Sequence, residues 1–143
     1  MLKYDDMYYA CWLIERFGRA FDMPRKDVVN LIGKKRLKNY MEFADCFHCE
    51  NPDKIIGELA EELGVIGNDE LFKYIEMQSK PSLRQIAGVY ARVIKMCHEN
   101  DYEAGIEKFF NSFLPPLIND YENNLYWSSM HYLSECYKDG NLL

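Results

Sequence analysis

The sequence predicts an all-α fold, a compact bundle of about seven or eight helices without a sheet. Three observations lead there. Apolar residues recur at helical spacing, most clearly Ile86, Val89, Tyr90, Val93 and Cys97 at i, i+3, i+4, i+7 and i+11. Strand-like alternation of apolar and polar residues is scarce, and helix start and stop signals recur at short intervals. At 143 residues the chain is one domain long, able to bury a single core without disulfides or metals. Residues 1–143 are therefore expected to form one helical domain, with 64–68 (GVIGN) as the candidate subdomain junction.

The first helix carries Tyr4, Met7, Tyr8, Cys11, Trp12 and Ile14 on more than one face and runs to about Phe21, which marks it as central. Pro24 opens a second helix, PRKDVVNLIGKK, and KNYMEFADCF forms a third, with Tyr40, Phe43 and Phe47 near helical spacing. Asn51-Pro52 offers a capping side chain before a proline at the first helical position, and the helix IIGELAEEL then runs to Gly64. Asn68 or Asp69 begins a short helix through Met77; Lys80-Pro81 ends it, and Ser82 with Gln85 starts the next as a capping-box pattern. Asp101 caps YEAGIEKFFNSF, which Pro115-Pro116 ends. A long last helix is expected from about Leu117 to Lys138, before Gly140.

Charge and composition narrow the function. The N-terminus has two aspartates ahead of its apolar run and charges soon after, unlike a signal peptide, and no segment reaches the roughly 18 to 20 apolar residues of a membrane span. A soluble, cytoplasmic chain without a membrane partner is the expectation. Five cysteines, an odd number, argue against a disulfide framework; Cys11, Cys97 and Cys136 read as small apolar side chains on inner helix stripes. The net charge of −6 is shared, with 10 basic and 12 acidic side chains in residues 1–64 and 7 and 11 in the remainder. An acidic balance throughout disfavours general nucleic-acid binding.

Two segments are candidates for chemistry. Cys46-Phe47-His48-Cys49 supplies one C-x-x-C pair and an imidazole, weak candidates for a zinc site, but structural zinc wants four ligands. Cys97 and His98 are neighbours that diverge by about 100° on a helix, and His131 and Cys136 lie on different faces, so no second pair is evident. The plainer reading turns Cys46 and Phe47 inward at a helix end and gives His48 a local polar role. Lys34-Lys35-Arg36-Leu37-Lys38, preceded by Arg25 and Lys26, suggests a helix-turn-helix over residues 24–40 with its turn at Gly33 and phosphate or partner contacts from Lys34, Lys35, Arg36 and Lys38. A solvated helix end is the competing reading. Ser128, Ser129 and His131 lack an orienting carboxylate and read as helix-packing residues. Carboxylate pairs at Asp5-Asp6, Glu61-Glu62 and Asp69-Glu70 fall at helix ends or on polar faces, and no nucleotide, zincin or EF-hand motif is present.

The run Tyr9-x-x-Trp12-Leu13-Ile14-Glu15-x-Phe17, Arg25-Lys26, Leu37-x-x-Tyr40, Phe47-His48 and the helix from Ile55 to Leu59 resembles a short bacterial domain-of-unknown-function family of small helical proteins. The resemblance spans the first 64 or so residues; "CFHC" stands where the family pattern has an aliphatic residue before the histidine. The association of that family with genes for toxin-like ADP-ribosyltransferase domains implies a partner-binding or antitoxin-like role.

Together these observations predict a non-catalytic module without a cofactor that binds another protein, as an antitoxin-like neutraliser or a phage-type inhibitor, with eleven tyrosines suited to an interface. A second copy of the chain is one candidate partner. A small nucleic-acid-binding regulator is the alternative, and a metal-dependent enzyme at Cys46, His48 and Cys49 the third.

Overall fold

The computed structural model describes residues 1–65 and 81–143. Among the described residues the chain is all-α, with eight helices and one 3₁₀ turn and no strand. The helices are α1 (Tyr4–Ala20), α2 (Arg25–Glu42), α3 (Ala44–Phe47), α4 (Pro52–Leu63), α5 (Leu83–His98), α6 (Tyr102–Phe110), α7 (Leu114–Ile118) and α8 (Met130–Asp139); Leu125–Trp127 is the 3₁₀ turn. The helix expected from Asn68 or Asp69 to Met77 lies outside the described residues, as does most of the candidate junction after Gly64.

Helix α1 is the axis, as its all-round apolarity predicts: Met7, Ala10, Cys11, Leu13, Ile14 and Phe17 are wholly buried, and it packs most extensively against α5 and α2. The α5 stripe closes that core with Ile86, Val89, Tyr90 and Val93 buried; Cys97, one turn further, is only half-buried. Phe109 and Phe110 of α6 close over Tyr90, at ring centroid distances of 5.7 and 5.0 Å.

Local signals account for most helix ends. The Asn51 side chain accepts from the Asp53 N–H at 2.9 Å, Pro52 occupies the first turn, and Gly64 ends α4 with φ 73°. The Ser82 hydroxyl accepts from Gln85 N–H, and the Asp101 carboxylate from Ala104 N–H, both at 3.1 Å. At Gly33, φ 84° and ψ 159° interrupt α2, so the helix expected over PRKDVVNLIGKK ends short of Lys34 and Lys35, at the glycine suggested as a turn, and the chain resumes as a second helical arm to Glu42. The expected third segment is split by Phe43 into the end of this arm and the single turn α3.

The expected long last helix is not formed. Pro115 and Pro116 sit in the first turn of α7, where missing N–H groups cost nothing, instead of ending the helix before it. After Ile118 the polar run takes over. Asp120 and Asn123 side chains accept from N–H groups two residues on, at 3.3 and 2.8 Å, and Asn124 takes φ 57°. Ser129 then caps α8 by accepting from Tyr132 N–H at 3.1 Å. Ser129 is therefore a cap, and His131 is exposed; neither is the helix-packing residue expected.

Candidate functional site

The strongest polar feature of the interior is one the sequence reading did not single out. Glu15 is wholly buried in α1, and its carboxylate accepts five hydrogen bonds: from Arg25 Nε and Nη2 at 2.9 and 2.8 Å, Arg19 Nε at 2.7 Å, Tyr90 Oη at 2.7 Å and Tyr121 Oη at 3.4 Å. Arg19 also donates to the Pro81 carbonyl at 3.0 Å, and Arg25 to that of Met23. Burial alone would raise the Glu15 carboxyl; the Arg25 charge and hydrogen bonds, then those of Arg19, instead hold it down at about 2. Tyr90 moves the other way: burial and the adjacent Glu15 push its phenol well up. Arg25 is thus spent inside the protein, which corrects its assignment to a basic DNA-facing segment. With one carboxylate held by two guanidiniums and two phenols, this cluster ties α1 to α2, α5 and the segment after α7. Its signal in the sequence was a carboxylate set among the core positions Leu13, Ile14 and Phe17 of α1.

A cleft of about 370 Å³ is lined by Tyr8, Trp12, Phe47, His48, Glu50, Pro52, Ile55 and Arg84. It brings together the apolar side of α1, the α3 turn and the starts of α4 and α5. Asn51 and Pro52, by fixing where α4 begins, hold Glu50 and His48 beside α1. Buried behind the lining, Tyr9 packs against three of its rings, with ring centroids 5.7 Å from Trp12, 6.4 Å from Phe47 and 4.7 Å from His48. Tyr9 is 2% exposed and its hydroxyl has no hydrogen-bond partner among the described residues; burial first, then Tyr40 and Glu50, push the phenol up to about 12. Arg16 lies over the Trp12 ring at 5.3 Å and pairs with Asp53 of α4 at 2.6 Å.

This geometry places the Cys46–Cys49 segment on the surface. Cys46, His48 and Cys49 are all exposed, which corrects the inward packing expected of Cys46, while Phe47 is half-buried between Tyr9 and Tyr40. Among the described residues no three His, Cys, Asp or Glu side chains gather closely enough to hold a metal ion. His48 is a ring of the cleft wall.

The basic run borders a second, shallower groove that shares Phe47 with the cleft and includes Lys34, Lys35, Arg36, Lys38 and Tyr40. Most of its cations have carboxylate neighbours: Lys34 with Glu107 at 2.9 Å, Arg36 with Glu62 at 3.3 Å, and Lys38 with Glu103 and Glu42 at 3.6 and 3.8 Å. Exposed pairs of this kind contribute ~0–1 kcal/mol each, but their carboxylates weaken the positive field a phosphate backbone would meet. Lys35 alone of the four has no such pair among the described residues.

No helix among the described residues is long and apolar enough to cross a membrane. No family model, curated protein or solved structure matches the chain.

Proposed function

We propose that this chain is a protein-binding module without catalytic activity of its own, acting antitoxin-like or as an inhibitor by occupying a partner's surface, and that the cleft on α1 is where it docks. The observation that supports this reading is the concentration of accessible rings in one concave site: Tyr8, Trp12, Phe47 and His48 on rigid helical supports, with Pro52 and Ile55 beside them. Aromatic side chains offer large apolar area at little entropic cost, and they dominate the centres of interfaces. The carboxylates set against Lys34, Arg36 and Lys38 favour a protein partner over nucleic acid for this molecule.

A photo-crosslinking residue at position 48, compared with one at the exposed position 139 at the far end of α8, tests the proposal in the cells that encode the chain. A discrete crosslinked protein from position 48 and none from 139 is expected. Equal patterns from both positions, or nucleic acid as the only adduct, would refute it.

A further inference from the structure

Two charges of opposite sign line the cleft, each without a counter-ion among the described residues. Among the described residues neither Arg84, at the start of α5, nor Glu50, in the loop before α4, has a salt bridge or side-chain hydrogen bond, although both are exposed and within one site. They stand on different elements: Arg84 is in the first turn of α5, where Tyr8 donates to its carbonyl at 3.3 Å, and Glu50 lies in the loop between His48 and the start of α4. This differs from the basic groove, where Lys34, Arg36 and Lys38 already face carboxylates.

Resting on the docking reading above, we propose that the cleft takes a peptide segment of a partner protein with a dipolar pattern: a large apolar or aromatic anchor flanked by an acidic residue that meets Arg84 and a basic residue that meets Glu50. A lone cation is disfavoured, since Arg16 already covers Trp12 at 5.3 Å and Arg84 adds a second positive charge. A lone anion is disfavoured by Glu50. A volume of about 370 Å³ is at the small end of ligand sites, room for one anchor with its flanking backbone.

The test is selection of a phage-displayed random dodecapeptide library on the full chain and on its Arg84→Glu and Glu50→Lys variants, whose folding is checked by circular dichroism. On the unmodified chain, enriched peptides carry an anchor between an acidic and a basic residue. Arg84→Glu replaces the acidic preference with a basic one, Glu50→Lys does the converse, and each weakens the best original peptide about tenfold or more. Enrichment with no charge pattern, the same pattern on all three proteins, or no enrichment alongside saturable binding of free L-tryptophan overturns the inference. Crosslinking at position 48 that persists in any of those cases removes this inference alone; its loss removes the docking reading itself.

Discussion

Replacing Glu15 by glutamine removes the charge at the centre of the core while keeping the side chain's shape. Glutamine can accept through one oxygen only, and its amide N–H₂ then faces the guanidinium donors of Arg19 or Arg25, which sit 2.7 to 2.9 Å from the present carboxylate. The magnitude follows from the displaced titration. A carboxyl held at about 2 instead of its ordinary 4.5 corresponds to about 3 kcal/mol, at about 1.4 kcal/mol per unit. Removal of one member of a buried ion cluster costs a similar ~3–5 kcal/mol, since the other member is left buried and unpaired. Because the folded-state value lies below the unfolded one, this stabilisation is complete above about pH 4.5 and is lost as the pH falls toward 2. Urea unfolding followed by circular dichroism should show Glu15→Gln less stable by about 3 kcal/mol at pH 7, with a melting temperature about 10 °C lower. The gap between the two proteins should then close as the pH drops from 4.5 to 2. A loss under about 1 kcal/mol at pH 7, or a gap that stays constant through the acid range, would refute the assignment of Glu15 as the charged hub.

Three further outcomes follow from single positions. Gly57 lies inside α4 with nothing within 4 Å of an added Cβ, so Gly57→Ala should stabilise by about 1 kcal/mol in denaturant unfolding. Gly64→Ala, at φ 73°, should destabilise by about 1 kcal/mol in the same assay. At Gly105 an added Cβ would meet His98 Cβ at 2.7 Å and Ile94 Cγ2 at 2.9 Å where α6 crosses α5; Gly105→Ala should cost about 1–3 kcal/mol, measured by thermal melting. Thiol labelling of the folded chain, read by mass spectrometry, should modify exposed Cys46 and Cys49 first and leave buried Cys11 and Cys136 until unfolding; Cys97, whose thiol burial pushes up, should react slowly.

Elements bounded by chain-local chemistry were legible in the sequence. Asn51-Pro52 and Gly64 define α4, Ser82 starts α5, and Asp101 starts α6, because each cap is satisfied within three residues of itself. The segment from Asp120 to Ser129 was misread because apolar and aromatic residues continue through it at tolerable spacing. The Asp and Asn side chains there bond their own backbone and outcompete the helix. Long-range features were not legible. Glu15 meets partners 4, 10, 75 and 106 residues away, and only the presence of a carboxylate among the core positions of α1 hinted that partners must exist. The cleft joins residues 8 and 84, so His48 could be singled out from sequence but not the ring system around it. The basic run was visible as a run; its carboxylate neighbours on α4 and α6 were not.

The central claim is that a protein docks in the α1 cleft. Calorimetric titration of the protein crosslinked at position 48, purified and added to the unmodified chain and to the His48→Asp, Arg84→Glu and Lys35→Glu variants, measures it most directly. The account predicts binding weakened about tenfold or more, about 1.4 kcal/mol, by each cleft substitution and unchanged by Lys35→Glu. Binding that survives both cleft substitutions and fails with Lys35→Glu would contradict it and move the interface to the basic groove.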